Sequence, residues 1–235
     1  MVVLALIALE LVCLYVLGRR LLDGLVGDAV RAGRPRRWAT WTLLAPGVTL
    51  HEASHAAVAT LLGGRVVRFV PFRPEPMRGG GVLLGEVRWH PSRLPVLGGP
   101  VGRALVGLAP LVLVPAVVYA AGCALVPGVA LGDAPHELPA ALLDRPVDVG
   151  GVLWVLVALS ASIGLLPSKV DHQDLPAALA LLALVAVAWL VWRGGIDAAD
   201  GQRLLTDAAA PATFLAELLA PPALVATVGG LLLRR

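Results

Sequence analysis

Charge is scarce in this sequence. Asp, Glu, Lys and Arg together make up 15% of its 235 residues, where a soluble domain of this length carries about a quarter. Apolar residues fill the gap at 58%, and several runs reach the roughly 20 residues needed to cross a hydrocarbon core. The scarcity of charge excludes an ordinary water-facing surface and predicts an all-α integral membrane protein with the lipid bilayer as its partner. Cysteine is equally rare. Cys13 and Cys123 fall inside apolar runs with no paired spacing, which argues against a disulfide framework or a cysteine zinc site. A formal net charge of +3 gives no reason to invoke nucleic acid. The first 18 residues lack a basic n-region and a small-residue cleavage signal, so a retained helix is expected there.

The apolar runs, at about 1–18, 38–63, 104–131, 150–167, 175–193 and 214–233, predict six transmembrane helices. Trp38 and Trp41 open the second run, and Trp189 and Trp192 close the fifth, as interfacial anchors do. Residues 65–89 differ in kind. Two β-branched, aromatic-rich stretches, Val66–Phe72 and Val82–Trp89, flank a Pro- and Gly-rich turn, the pattern of a β-hairpin.

The arginines set an orientation. Arg65, Arg68, Arg73, Arg78, Arg88, Arg93 and Arg103 place the 64–103 loop in the cytoplasm, whereas the loop at 132–149 is acidic. Six spans with both termini inside satisfy these segments and the closing Arg234-Arg235. The segment 19–37, with Arg19, Arg20, Arg31, Arg34, Arg36 and Arg37, then falls on the wrong side. Either the first helix is unusual or this segment lies along the interface as an amphipathic stretch.

Chemistry concentrates in one place. His51-Glu52-Ala53-Ser54-His55 sits inside the second apolar run. Each ionisable group in a span costs a few kcal/mol unless it is paired or coordinated, so three of them call for a function. On a helix, positions i and i+4 share a face, so His51 and His55 can present two imidazoles to one zinc ion. Glu52, one residue along, can reach a metal-bound water and act as general base. A catalytic zinc takes three protein ligands. The remaining histidines are His90, His136 and His172, and the only other polar cluster between two apolar runs, residues 162–176, holds Asp171, His172 and Asp174.

Taken together, "HEASH" at 51–55, the hairpin at 65–89, "GGPVGRALVGLAP" at 98–110 and "LLPSKVD" at 165–171 resemble the site-two protease family of intramembrane zinc metalloproteases. The resemblance covers about residues 38–175. It implies a three-helix core with a membrane-associated β-hairpin, zinc as cofactor, Asp171 as the third ligand beside His51 and His55, and Glu52 as catalytic base. The substrate it implies is a peptide bond in or near a membrane helix of another protein. Residues 1–37 would add an N-terminal helix with its basic connection, and 176–235 two C-terminal helices. The expected location is a prokaryotic plasma membrane, with the site towards the cytoplasm. This chain departs from the family pattern at Gly164, where an asparagine is usual, and lacks the asparagine that follows Gly-Pro, with Arg103 nearby. Asp174 has a competing explanation, as the N-cap of a helix opening with Leu175-Pro176. The alternative function is a non-proteolytic membrane protein that keeps zinc for structure or partner binding. A transporter would call for symmetric halves with broken helices, and the sequence has no such symmetry.

Overall fold

The computed structural model describes residues 2–77, 81–144, 148–165, 171, 173–193 and 198–232. Pro167, Lys169, His172, Arg78 and Arg234-Arg235, all used in reading the sequence, lie outside the described residues. The chain is mostly helical. Helix α1 (Val2–Cys13) continues through a π-helical stretch, Leu14–Gly18, into α2 (Arg19–Arg31). At Ala32-Gly33 the chain reverses into α3 (Arg34–Leu61), whose first turn holds Pro35, where a missing N–H costs nothing. The reversal is tied by Arg37. Its guanidinium donates to the carbonyls of Ala29, Val30 and Ala32, each at 3.1 Å, and so satisfies the orphan acceptors at the end of α2.

The basic segment 19–37 is therefore helical on both sides of a tight turn. Leu21, Leu22, Leu25 and Val26 of α2 pack with Trp41, Leu44 and Ile163, while Arg19, Arg20 and Arg31 stay exposed. The expected boundary at 37/38 falls inside α3.

After α3, Gly63 adopts φ +77°, a conformation that favours glycine, and turns the chain into the hairpin. Strands β1 (Arg65–Val70) and β4 (Glu86–His90) pair antiparallel from Arg65 opposite His90 to Val70 opposite Glu86, with a register shift between Val66 and Arg68. Inside them lie two short strands, β2 (Glu75–Pro76) and β3 (Val82–Leu83), also antiparallel. The hairpin folds back along α3. Phe72 meets the Trp41 ring edge-on at 6.4 Å, and Gly85 lies against Val48 and Glu52. Five of its charges pair within it: Arg68 with Glu86 at 3.1 Å, Arg73 with Glu75 at 2.7 Å, and Arg88 with Glu86.

Then come α4 (Pro95–Gly98), α5 (Pro100–Leu125), α6 (Glu137–Leu143), α7 (Val149–Gly164), α8 (Leu175–Arg193) and α9 (Ala198–Leu232). Asp148 caps α7 by accepting from the Gly151 N–H at 2.6 Å. Helices α3, α5 and α7 pack against one another. Small residues let α3 and α7 cross almost backbone to backbone: a Cβ on Gly47 would lie 2.0 Å from the Ser160 carbonyl oxygen, and one on Gly164 would lie 2.6 Å from the Gly47 carbonyl carbon. The Gly47 N–H, following Pro46 in the helix, donates to Ser160 Oγ at 2.7 Å. One apolar core joins Leu14 of the π-helical stretch, Val114 of α5, Ala161 of α7 and Leu219 of α9.

Among the described residues, two helices are long and apolar enough to cross a membrane: Pro100–Leu125, and Thr206–Leu232 within α9. The expectation of six spans is not supported. The apolar helix Val149–Gly164 is too short. Helix α3 carries three arginines in its first turn and the His-Glu cluster further on.

Candidate metal centre

His51 and His55 lie one turn apart on α3, each only 7% exposed. Their rings meet edge to face with centroids 4.7 Å apart, and the two Nε2 atoms are separated by 3.1 Å. The Nδ1 of His55 is 2.7 Å from the Val106 carbonyl of α5. A carbonyl only accepts, so Nδ1 carries a proton, and in the neutral ring this leaves Nε2 as the nitrogen able to bind a metal. His51 Nδ1 is buried with no hydrogen-bond partner among the described residues.

Asp171 completes the group from the turn between α7 and α8. Its Oδ1 is 3.3 Å from His55 Nε2 and its Oδ2 is 3.6 Å from His51 Nε2. The close crossing of α3 and α7 sets Gly164, at the end of α7, against Gly47, one turn before His51. Gly107 on α5 provides the last clearance, since the Asp171 backbone carbonyl occupies the space a side chain would need. In the absence of a metal, Asp171 is held well below the usual carboxylate range. Burial opposes its ionisation, but the hydrogen bonds and charge of His51 and His55 outweigh that cost.

The donor set fits a small cation. Adjacent ligands of a tetrahedral zinc, at bond lengths of about 2.0–2.1 Å, lie roughly 3.3 Å apart. From His55 Nε2, the separations to His51 Nε2 (3.1 Å) and to Asp171 Oδ1 (3.3 Å) lie near that value, while His51 Nε2 is nearest the other carboxylate oxygen, Oδ2, at 3.6 Å. Two imidazole nitrogens and a carboxylate converge at this distance, an arrangement that a proton or a metal ion lying between them stabilises. His51, His55 and Asp171 form a group that can hold a metal ion.

Glu52 is half-buried on the hairpin side of α3. A Cβ on Gly85 would come within 2.8 Å of Glu52 Cγ, so the hairpin rests directly on the glutamate. The other sequence candidates lie elsewhere. Asp174 takes a hydrogen bond from Arg103 Nη2 at 3.0 Å, His136 pairs with Glu217 at 3.0 Å, and His90 ends β4 opposite Arg65. Val106, Gly107 and the Gly47–Ser160–Gly164 crossing were not read as site features from sequence. The available signal was small residues inside apolar helices, which mark close helix contacts.

No protein-family model matches the chain, and neither a curated protein nor a solved structure is significantly similar to it.

Proposed function

We propose that this protein is a zinc-dependent intramembrane endopeptidase acting on membrane-protein substrates. The observation that carries the reading is the convergence of His51 Nε2, His55 Nε2 and the Asp171 carboxylate on one point beside Glu52. His51, His55 and Asp171 would hold zinc, and the bound ion would supply Lewis acidity at that point. The Val106 carbonyl would keep a proton on His55 Nδ1 and fix the orientation of the ring, leaving Nε2 for the ion. Glu52 takes a proton from the attacking water and returns it to the leaving amide nitrogen, so that one carboxylate and one amine replace the peptide bond. The 65–89 hairpin, lying over Glu52, is suited to hold an unwound substrate segment by strand addition, since a helical substrate has its carbonyls occupied until it unwinds.

Membership in the site-two protease family rests on the resemblance of the sequence motifs. It is supported by three packed helices, α3, α5 and α7, which carry or seat the ligands. The two long apolar helices support a place in the bilayer, proposed here to be the plasma membrane of a prokaryote. The arginine-rich hairpin favours a site facing the cytoplasm.

One observation favours the rival reading, a membrane protein that keeps zinc without proteolysis. The hairpin covers Glu52 closely, as it would over a purely structural site. The deciding experiment compares the wild type with Glu52→Gln, both loaded with zinc, on membrane-helix substrates. Loss of cleavage by roughly 10²–10⁴-fold with zinc retained is expected of a general base. No cleavage by the wild type favours the non-proteolytic protein, and equal cleavage by both removes Glu52 as the base.

A further inference from the structure

Helix α5 meets the candidate centre at three positions within one and a half turns. The Val106 carbonyl orients His55 and Gly107 seats the Asp171 backbone, as described above. The third position is Arg103. Its Nη2 donates to Asp174 Oδ1 at 3.0 Å, and its Nη1 donates to the Gly98 carbonyl at 3.2 Å. We propose that the Arg103–Asp174 ion pair is a clasp that fastens the turn carrying Asp171 to α5, so that Arg103 and Asp174 are positioning residues for the third metal ligand. The inference rests on the reading of His51, His55 and Asp171 as a metal centre.

Arg103 and Gly107 are four residues apart and share one face of α5. Asp171 and Asp174 are three residues apart on the chain that runs into α8. The turn therefore meets α5 at two points, its backbone at Gly107 and its carboxylate at Arg103. The contact at Gly107 is a clearance and exerts no pull, whereas the charged hydrogen bond at Arg103 is directional and attractive. The guanidinium is itself held by the Gly98 carbonyl, so its position follows the junction of α4 and α5. Capping does not account for the Asp174 side chain. Its backbone carbonyl accepts the Ala178 N–H at 3.0 Å, as at the start of a helix, but its carboxylate reaches across to α5. Arg103 and Asp174 side chains are 37% and 21% exposed, and pairs so placed add little to global stability. Their effect is expected in the placement of Asp171.

The test measures zinc affinity by chelator competition on the full chain in nanodiscs, beside thermal unfolding of the zinc-free protein. The variants are Arg103→Gln, Asp174→Asn, their double mutant and Asp171→Ala. Outer partners of metal ligands typically contribute 10–100-fold in affinity. Each single variant is expected to weaken zinc by about that factor, with the double mutant no weaker than either single and unfolding unchanged. If both single variants bind zinc as tightly as the wild type while Asp171→Ala loses it, the clasp is wrong and the centre stands. Affinity losses that add in the double mutant and track a fall in unfolding temperature mean a merely structural pair, which also overturns the proposal. If Asp171→Ala keeps its zinc, the centre itself fails and the clasp with it.

Discussion

Replacing Gly107 by alanine would place a methyl carbon 1.7 Å from the Asp171 carbonyl oxygen, 2.7 Å from its carbonyl carbon and 3.2 Å from its Cα. Non-bonded heavy atoms rest at roughly 3.5 Å or more, so the turn carrying Asp171 must retreat by about 1.5 Å or more. Metal–ligand distances tolerate errors of about 0.2 Å, and the carboxylate now lies only 3.3 and 3.6 Å from the two imidazole nitrogens. A retreat of that size takes a ligand out of reach. The expected loss in zinc affinity exceeds the 10–100-fold typical of an outer partner, or about 1.4–2.8 kcal/mol. Gly33→Ala is the matched control, because a Cβ there meets nothing within 4 Å and its φ of −62° suits alanine. The assay is zinc competition against a chromophoric chelator for both variants, with unfolding followed without metal. Wild-type zinc affinity in a folded Gly107→Ala protein would refute the claim that this glycine seats the third ligand.

Further outcomes follow from the same geometry. Zinc affinity is expected to weaken as the medium is acidified, because imidazole ligands bind a metal only when neutral; affinity unchanged from about pH 7.5 to 5.5 would argue against histidine ligation. Gly47→Ala drives a methyl to within 2.0 Å of the Ser160 carbonyl oxygen, so the crossing of α3 and α7 must open, at about 1–3 kcal/mol or more. Thermal unfolding no lower than wild type would contradict that packing. A cysteine placed at Arg73 in the hairpin is expected to label from the cytoplasmic side, and labelling from the opposite side would reverse the proposed orientation.

How far the sequence carried depends on how local each signal was. The pairing of His51 with His55 is a helix period, legible in five letters. The hairpin was legible because β-branched runs flank a Pro–Gly turn, and β1 and β4 overlap the stretches so marked, each reaching one residue beyond. Asp171 could be separated from Asp174 only by resemblance and a capping argument; the pairing that occupies Asp174 spans 71 residues to Arg103 and leaves no local trace. The Val106 contact uses a backbone carbonyl, which every residue has. Counting spans failed for a different reason. Apolar runs measure composition, whereas crossing a bilayer needs one unbroken helix. Helix α7 is only 16 residues long, and α3 mixes arginines with the motif.

The central claim is that His51, His55 and Asp171 together hold one metal ion. Its most direct test is the zinc content of purified protein for the wild type, for the double variant His51→Ala/His55→Ala and for Asp171→Ala, each shown to be folded. The account predicts about one zinc per wild-type chain, none in the double variant and a severe loss in Asp171→Ala. Stoichiometric zinc that survives in the double variant, or is unaffected by Asp171→Ala, would contradict it.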